Sequence, residues 1–189
     1  PFIFFIGLCG NILILLVMGK KRMRGTSASV YLMWMAAADL CVLIFGMIPE
    51  WLEQGDFLVV KKIHPIVCKL EKFAFYTSAD TAIWVLCIFS VDRFIAVCFP
   101  FEKKDHCLPS RSKFFALTAL VVAVIKNFHV FWTRGAEYYV TADNSTVLRS
   151  NCGRPTPEYK YFELFVRPWI AFTVVNALPF GVIIICNSF

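Results

Sequence analysis

The segment LCIFSVDRFIAVCFP, residues 86–100, places an adjacent acid and base, Asp92 and Arg93, inside an otherwise apolar stretch. The residues before the pair, 73–91, contain a single charge, Asp80. An apolar run of this length is long enough to cross a hydrocarbon core of about 30 Å as a helix. The pair therefore marks the point where a predicted membrane span reaches the aqueous boundary.

The chain has more apolar residues than a soluble domain can bury, so a lipid environment is expected to cover the remainder. Of the 189 residues, 59% are hydrophobic, against about 45–50% in soluble domains. Backbone groups in lipid must be satisfied within each segment, which favours helices, and the sequence has no series of short alternating segments typical of a β-barrel. The sequence therefore predicts an all-α, multi-pass transmembrane helical bundle in one domain, residues 1–189. The predicted spans are roughly 1–19, 26–50, 67–99, 112–133 and 166–189.

The charges predict an orientation. The net charge is +6, but the basic residues lie between the spans instead of on one face, so nucleic acid is not an expected partner. The segment KKRMR, residues 20–24, directly follows the first span, and such clusters favour the cytoplasmic side. The sequon NST at Asn144 is an acceptor for N-glycosylation only on the other side. Both signals predict an extracellular N-terminus.

Two of the eight cysteines lie on the predicted outer side, where disulfides form. Cys68 begins the third span, and Cys152 lies in the long loop between spans four and five. A bridge between them ties that loop to the third helix. The alternative is two free cysteines.

The order of short motifs along the chain resembles the rhodopsin-like (class A) G-protein-coupled receptors. A cysteine, an Asp-Arg pair 24 to 25 residues later and then IAVCFP form the central part of the pattern. The same family carries, in the same order, GN at Gly10 and Asn11, AAADL at Asp39 and LPF at Pro179. The resemblance implies helices one to five of a seven-helix receptor of the plasma membrane. It also implies that an extracellular ligand activates a heterotrimeric G protein, with no enzymatic activity.

The resemblance assigns the pair at residues 92 and 93 a switching role. Asp92 is expected to hold Arg93 in the resting state, and activation frees the arginine to contact the G protein. Pro100 and Phe101, in the following loop, are expected further contacts. The alternative is an arginine that only reaches the interface from a helix end. Phe94 stands where the family usually has tyrosine.

Asp39 lies in the middle of the second span, where a carboxylate needs a polar partner or an ion. We expect Asn11 to be that partner. In the family this acid binds a sodium ion with help from a serine of the third helix, but Ala82 occupies that position here. Ser78, one turn earlier, is the remaining candidate. The alternative is a protonated, structural acid. No other cofactor and no metal site is expected.

Asp80 and Lys126 are ionisable residues in the third and fourth spans. Opposite charges on adjacent helices are expected to neutralise each other. Alternatively, Lys126 extends outward to the interface near His129.

The ligand predicted by the resemblance is a peptide. Amine receptors of the family carry an aspartate seven residues after the cysteine, where this chain has Phe75, followed by Tyr76. The long, aromatic loop between spans four and five suits an extended partner. The sequence is most similar to invertebrate neuropeptide receptors of the FMRFamide and myosuppressin type. The ligand-binding candidates are Glu71, Phe75, Tyr76, Ala79 and Asp80.

Two other kinds of protein remain open at this point. An ion-coupled transporter is one, because Asp39, Asp80 and Lys126 are placed as if along an ion path. Internal repeats would then be expected, and we see none. A truncated, non-signalling receptor-like membrane protein is the other.

Overall fold

The computed structural model describes residues 2–55, 64–102 and 106–188. Its long helices are α1, Phe2–Met18; α2, Ser27–Gln54; α3, Pro65–Cys98; α4, Pro109–Thr133; and α5, Pro157–Asn187. A turn at residues 128–129 divides α4 into Pro109–Asn127 and Val130–Thr133. Strands β1, Gly135–Val140, and β2, Thr146–Gly153, form an antiparallel hairpin between α4 and α5. The prediction of an all-α helical bundle is confirmed, with a hairpin that the sequence did not predict.

In the described part of the chain, four helices, α2 to α5, are long and apolar enough to cross a membrane. Helix α1 is apolar but has 17 residues, which is at the short end of the range of about 17–25 residues for a span. A first span therefore stays a prediction, and its predicted limit at Pro1 lies outside the described residues, as does the limit of the fifth span at Phe189. Helix α5 begins well before the predicted residue 166.

Capping residues explain where the helices begin. Helices α3, α4 and α5 each start with proline, which has no amide hydrogen to leave unpaired in a first turn. The side chain of Thr156 accepts a hydrogen bond from the amide of Tyr159 and caps α5. Thr26 does the same for Ser29 at the start of α2. The Thr156 cap is the reason that α5 starts early, ahead of its apolar run.

Wider helical turns precede the internal prolines. In α2, the π-helical segment Leu43–Met47 is followed by Pro49. In α5, the π-helical segments Phe162–Val166 and Ala171–Ala177 are followed by Pro168 and Pro179. Proline cannot donate to the preceding turn and its ring crowds it, so the hydrogen-bond ladder shifts there. Such bulges are frequent at functional sites.

The core lies where α2, α3 and α4 meet. Tyr31, Val85 and Ala116 are buried there and pack with Ala119. Small residues on α4 let the helix backbones approach closely. Large apolar side chains elsewhere are exposed on the bundle surface, for example Phe5, Ile125 and Phe172. A surface of that kind is suited to a lipid environment.

Candidate functional site

A disulfide fixes the hairpin to the N-terminal end of α3. Cys68, on the first turn of α3, is bonded to Cys152 of β2, with a Cα–Cα distance of 5.4 Å. Both cysteines are buried. The predicted bridge is therefore confirmed, and it holds the hairpin over one end of the helix bundle.

A cavity of about 370 Å³ lies between α3, α4 and α5. Three of the predicted ligand-binding residues, Tyr76, Ala79 and Asp80, line it. Phe75 instead lines a separate cavity of about 420 Å³ between α2 and α3. Glu71 is buried and lies 2.7 Å from the Nζ of Lys72, and neither cavity includes it in its wall. The five candidates thus do not form one site.

The intramembrane charges of α3 and α4 meet in the wall of the first cavity. The Nζ of Lys126 lies 2.8 Å from Oδ2 of Asp80. The side-chain amide of Asn127 donates to the same oxygen at 2.5 Å and to the carbonyl of Ala123 at 3.0 Å. The pairing predicted for Asp80 and Lys126 is present in the structure, so the alternative of an outward-reaching lysine is not adopted there.

A second charge cluster, which the sequence did not predict, lies beside the same cavity. Glu163 of α5 is fully buried and accepts from Arg134 at 2.8 Å and from Arg167 at 3.3 Å. The other carboxylate oxygen of Glu163, Oε1, lies 4.0 Å from the Nε2 of His129. The sequence placed Arg134 and Glu163 in the loop between spans four and five, and His129 and Arg167 in the ends of those two spans. The missing signal was the earlier start of α5. Once both residues are on one helix, Glu163 and Arg167 lie one turn apart and their side chains can pair.

Tyr76 connects this cluster to α3. Its ring lies 3.9 Å below the guanidinium carbon of Arg167, and its hydroxyl accepts a hydrogen bond of 3.4 Å from Arg134. Stacking on an aromatic face fixes the plane of a guanidinium group. One face of the cavity therefore presents an arginine in a defined orientation.

The Asp92–Arg93 pair forms a three-residue arrangement with the start of α2. Arg93 donates to the carboxylate of Asp92, and both residues bond to Ser27: its hydroxyl donates to Asp92 at 2.9 Å and accepts from Arg93 at 2.8 Å. Asp92 and Ser27 are buried. The Arg93 guanidinium also lies 5.3 Å above the ring of Phe89. Ser27 is a residue that the motif pattern did not indicate.

The predicted ion site around Asp39 is not assembled by hydrogen bonds. Asn11 donates to the carbonyl of Gly7 in its own helix, at 2.9 Å, and not to Asp39. The expected partnership is therefore corrected: the amide satisfies a carbonyl one turn away, as helix neighbours often do. Ser78 and Ala82 are half-buried on α3. A sodium ion near Asp39 stays a prediction.

The remaining predicted residues lie at the two ends of the bundle. Pro100 and Phe101 are exposed in the turn after α3. Asn144 is exposed in the turn of the hairpin, with a φ of 62°, which asparagine tolerates better than most residues. Both positions are accessible to a partner or a modifying enzyme.

The arrangement defines a class of protein: a multi-pass membrane helical bundle with a β-hairpin joined by a disulfide to its third helix. Residues 10–189 match the family described as 7 transmembrane receptor (rhodopsin family). Because the match covers nearly all of the chain, the chain belongs to this family of receptors, which is not a family of enzymes. The predicted resemblance is confirmed, and the apolar helices agree with a multi-pass membrane protein.

Individual relatives are receptors too. The chain is 25% identical over 123 residues to the neuromedin U receptor homolog nmur-2 of Caenorhabditis elegans, covering 65% of this chain and 30% of that protein. It is 30% identical over 149 residues to growth hormone secretagogue receptor type 1 of Sus scrofa, covering 76% of this chain and 38% of the relative. The chain thus spans about a third of the length of these relatives. Neither is named as an FMRFamide or myosuppressin receptor, so that subtype stays a prediction.

Proposed function

We propose that the protein acts as a G-protein-coupled receptor for an extracellular peptide. One observation carries this proposal: a single helix, α3, lines the cavity with Tyr76 and Asp80 and bears the Asp92–Arg93 pair near its other end. At about 1.5 Å per residue, Tyr76 and Asp92 are roughly 24 Å apart along the helix. A ligand that shifts α3 at the cavity therefore also moves the Asp92–Arg93 pair, because both are parts of one helix.

The hairpin and the relatives support a peptide ligand. Tyr138 and Tyr139 of β1 are exposed, and the disulfide keeps the strands at the cavity end of α3. Exposed aromatic residues on a fixed loop suit contacts with an extended chain. The relatives named as neuromedin U and growth hormone secretagogue receptors support the same class. Within it, the residue pattern favours an amidated neuropeptide of the FMRFamide or myosuppressin type.

We place the receptor in the plasma membrane with its N-terminus and hairpin outside. The exposed sequon supports this orientation, as does the basic cluster at residues 20–24. In eukaryotic cells, replacing Asn144 with glutamine should remove a glycosidase-sensitive shift in gel mobility. Asn151→Gln, on the same hairpin but outside a sequon, should retain the shift. A mobility unaffected by glycosidase in the parent protein contradicts the orientation.

The coupling role is tested with the full-length receptor in lipid nanodiscs and a panel of heterotrimeric G proteins. Receptor-dependent exchange of GDP for GTP is expected, and Arg93→Ala should abolish it without changing surface expression. Arg149→Ala, which removes an exposed arginine of the hairpin, should leave exchange intact. Absence of exchange with every heterotrimer, or unchanged exchange in Arg93→Ala, contradicts the proposal.

A further inference from the structure

Among the described residues, the walls of the cavity between α3, α4 and α5 carry two cations, Lys126 and Arg167, and one carboxylate, Asp80. Arg134 and Glu163 lie next to the cavity, where Arg134 and Arg167 both contact Glu163. Asp80 is paired with Lys126, so the two arginines, Arg134 and Arg167, share the single carboxylate of Glu163. Within the part of the chain that the structure describes, three partly buried cations are therefore neutralised by two buried carboxylates. Such a charge is costly unless an anion approaches it.

Arg167 is the cation best placed to receive that anion. It lines the cavity, its side chain is 25% exposed, and Glu163 accepts from only one of its terminal nitrogens, Nη1. A guanidinium has five N–H donors in a planar fork that matches a carboxylate. Stacking on Tyr76 already fixes the plane of that fork. Little side-chain freedom is thus left to lose when a carboxylate binds.

The remaining walls of the cavity indicate which kind of side chain would lie next to the bound carboxylate. Phe162, Ile170 and Val175 contribute apolar surface to the cavity. Its volume of about 370 Å³ falls at the small end of the range for ligand pockets, about 300–1,000 Å³. A site of this size accepts one or two residues of a peptide, with an apolar side chain next to the charged group.

We propose that this cavity binds a carboxylate of the peptide ligand through Arg167, with the neighbouring apolar wall receiving the adjoining side chain. The inference rests on the proposed receptor function, because it names the ligand chemistry of the same site. Two sources share this chemistry: the C-terminal carboxylate and an aspartate or glutamate side chain. An FMRFamide-like ligand, whose C-terminus is amidated, would have to supply the second.

The test uses purified full-length receptor and two matched pairs of small probes. N-acetyl-phenylalanine and its amide report on a terminal carboxylate, while N-acetyl-Phe-Asp-amide and N-acetyl-Phe-Asn-amide report on a side-chain carboxylate. The dependence of Tm on probe concentration gives each Kd. At least one acidic probe is expected to bind about tenfold more tightly than its neutral partner, as for a hydrogen bond to a charged group.

Matched variants locate the effect. Arg167→Gln should remove the preference for the acid, while Arg22→Gln, an exposed arginine in the turn after α1, should keep it. Glu163 retains its contact with Arg134 in the first variant, which helps the protein to fold. Arg167→Lys keeps the positive charge but loses the paired N–H donors of the guanidinium, so it should give an intermediate preference for the acid. This variant replaces Arg167→Gln in the test if the glutamine variant does not fold.

Three results would overturn the inference: equal affinity for acid and amide in both pairs, no binding of any probe at millimolar concentration, or a preference that survives replacement of Arg167. Equal affinity would mean that no cation of the cavity is free to meet a carboxylate, absence of binding would mean that the cavity does not accept such groups, and a surviving preference would mean that a cation other than Arg167 binds the acid. Probe binding needs no G protein. If the probes show no preference but the receptor still stimulates nucleotide exchange, the carboxylate site is wrong and the receptor function stands. If the probes bind as expected but no G protein exchanges nucleotide, the receptor function is wrong and the carboxylate site stands.

Discussion

The Nζ of Lys126 lies 2.8 Å from Oδ2 of Asp80, so two charges that interrupt different apolar helices neutralise each other inside the bundle. The carboxylate is 8% exposed and the lysine 28%. Removing one member of such a pair leaves the other as an uncompensated charge in a low-dielectric site. The contact therefore fixes how α3 and α4 are aligned next to the cavity.

Replacing Lys126 with methionine should lower the thermal stability of the full-length receptor, because Asp80 then keeps, among the residues that the structure describes, only Asn127 as a donor. The double variant Asp80→Asn, Lys126→Met should be less destabilised than the sum of the two single variants. The expected coupling is about 0.5–3 kcal/mol. Thermal unfolding in detergent measures it, with Lys113→Met, an exposed lysine of the same helix, as the control. Strict additivity would mean that the contact does not stabilise the protein.

Replacing Glu163 with glutamine should destabilise the protein more than any other single carboxylate change in α5. Two guanidinium groups then face a neutral amide, and breaking a buried pair of this kind costs about 3–5 kcal/mol. Glu158→Gln alters an exposed carboxylate of the same helix and should have little effect. Thermal unfolding of both variants is the measurement. Equal loss in the two would show that the arginines find other partners.

How much of this site the sequence predicts depends on the kind of contact. The Cys68–Cys152 bond and the Asp80–Lys126 pair were predictable, since each requires only two complementary residues in one compartment or at one depth. The Glu163 cluster was not, because its residues are polar and the cap at Thr156 extends α5 back into the loop. The partner of Asn11 depends on how α1 is rotated about its axis, which motif spacing does not specify.

Replacing Cys152 with serine should release the hairpin from α3. The bond joins residues 84 positions apart, and a loop of that length corresponds to about 4.6 kcal/mol in the chain-entropy account. Stability should fall, and peptide binding should weaken because the hairpin no longer stays at the cavity. A reducing agent should bring the parent protein to the same Tm as the variant. Cys98→Ser, an exposed free cysteine, is the control; unchanged binding after Cys152→Ser would separate the hairpin from ligand recognition.

Replacing Ser27 with alanine should raise nucleotide exchange in the absence of ligand. Its hydroxyl is the hydrogen-bonded link from α2 to both Asp92 and Arg93, at 2.9 and 2.8 Å. Hydrogen bonds to charged groups contribute about 1.5–3 kcal/mol, so their loss should shift the population from the resting packing by about tenfold.

The matched control for Ser27 is Ser90→Ala, since Ser90 is also buried but donates only within α3, to the carbonyl of Leu86. Its basal exchange should stay at the parent level. Ser27→Thr keeps the hydroxyl and should restore low basal exchange, a result that loss of packing alone does not explain. If Ser27→Ala exchanges nucleotide no faster than the parent, Arg93 is held by Asp92 without help from α2, and the resting state depends on α3 alone.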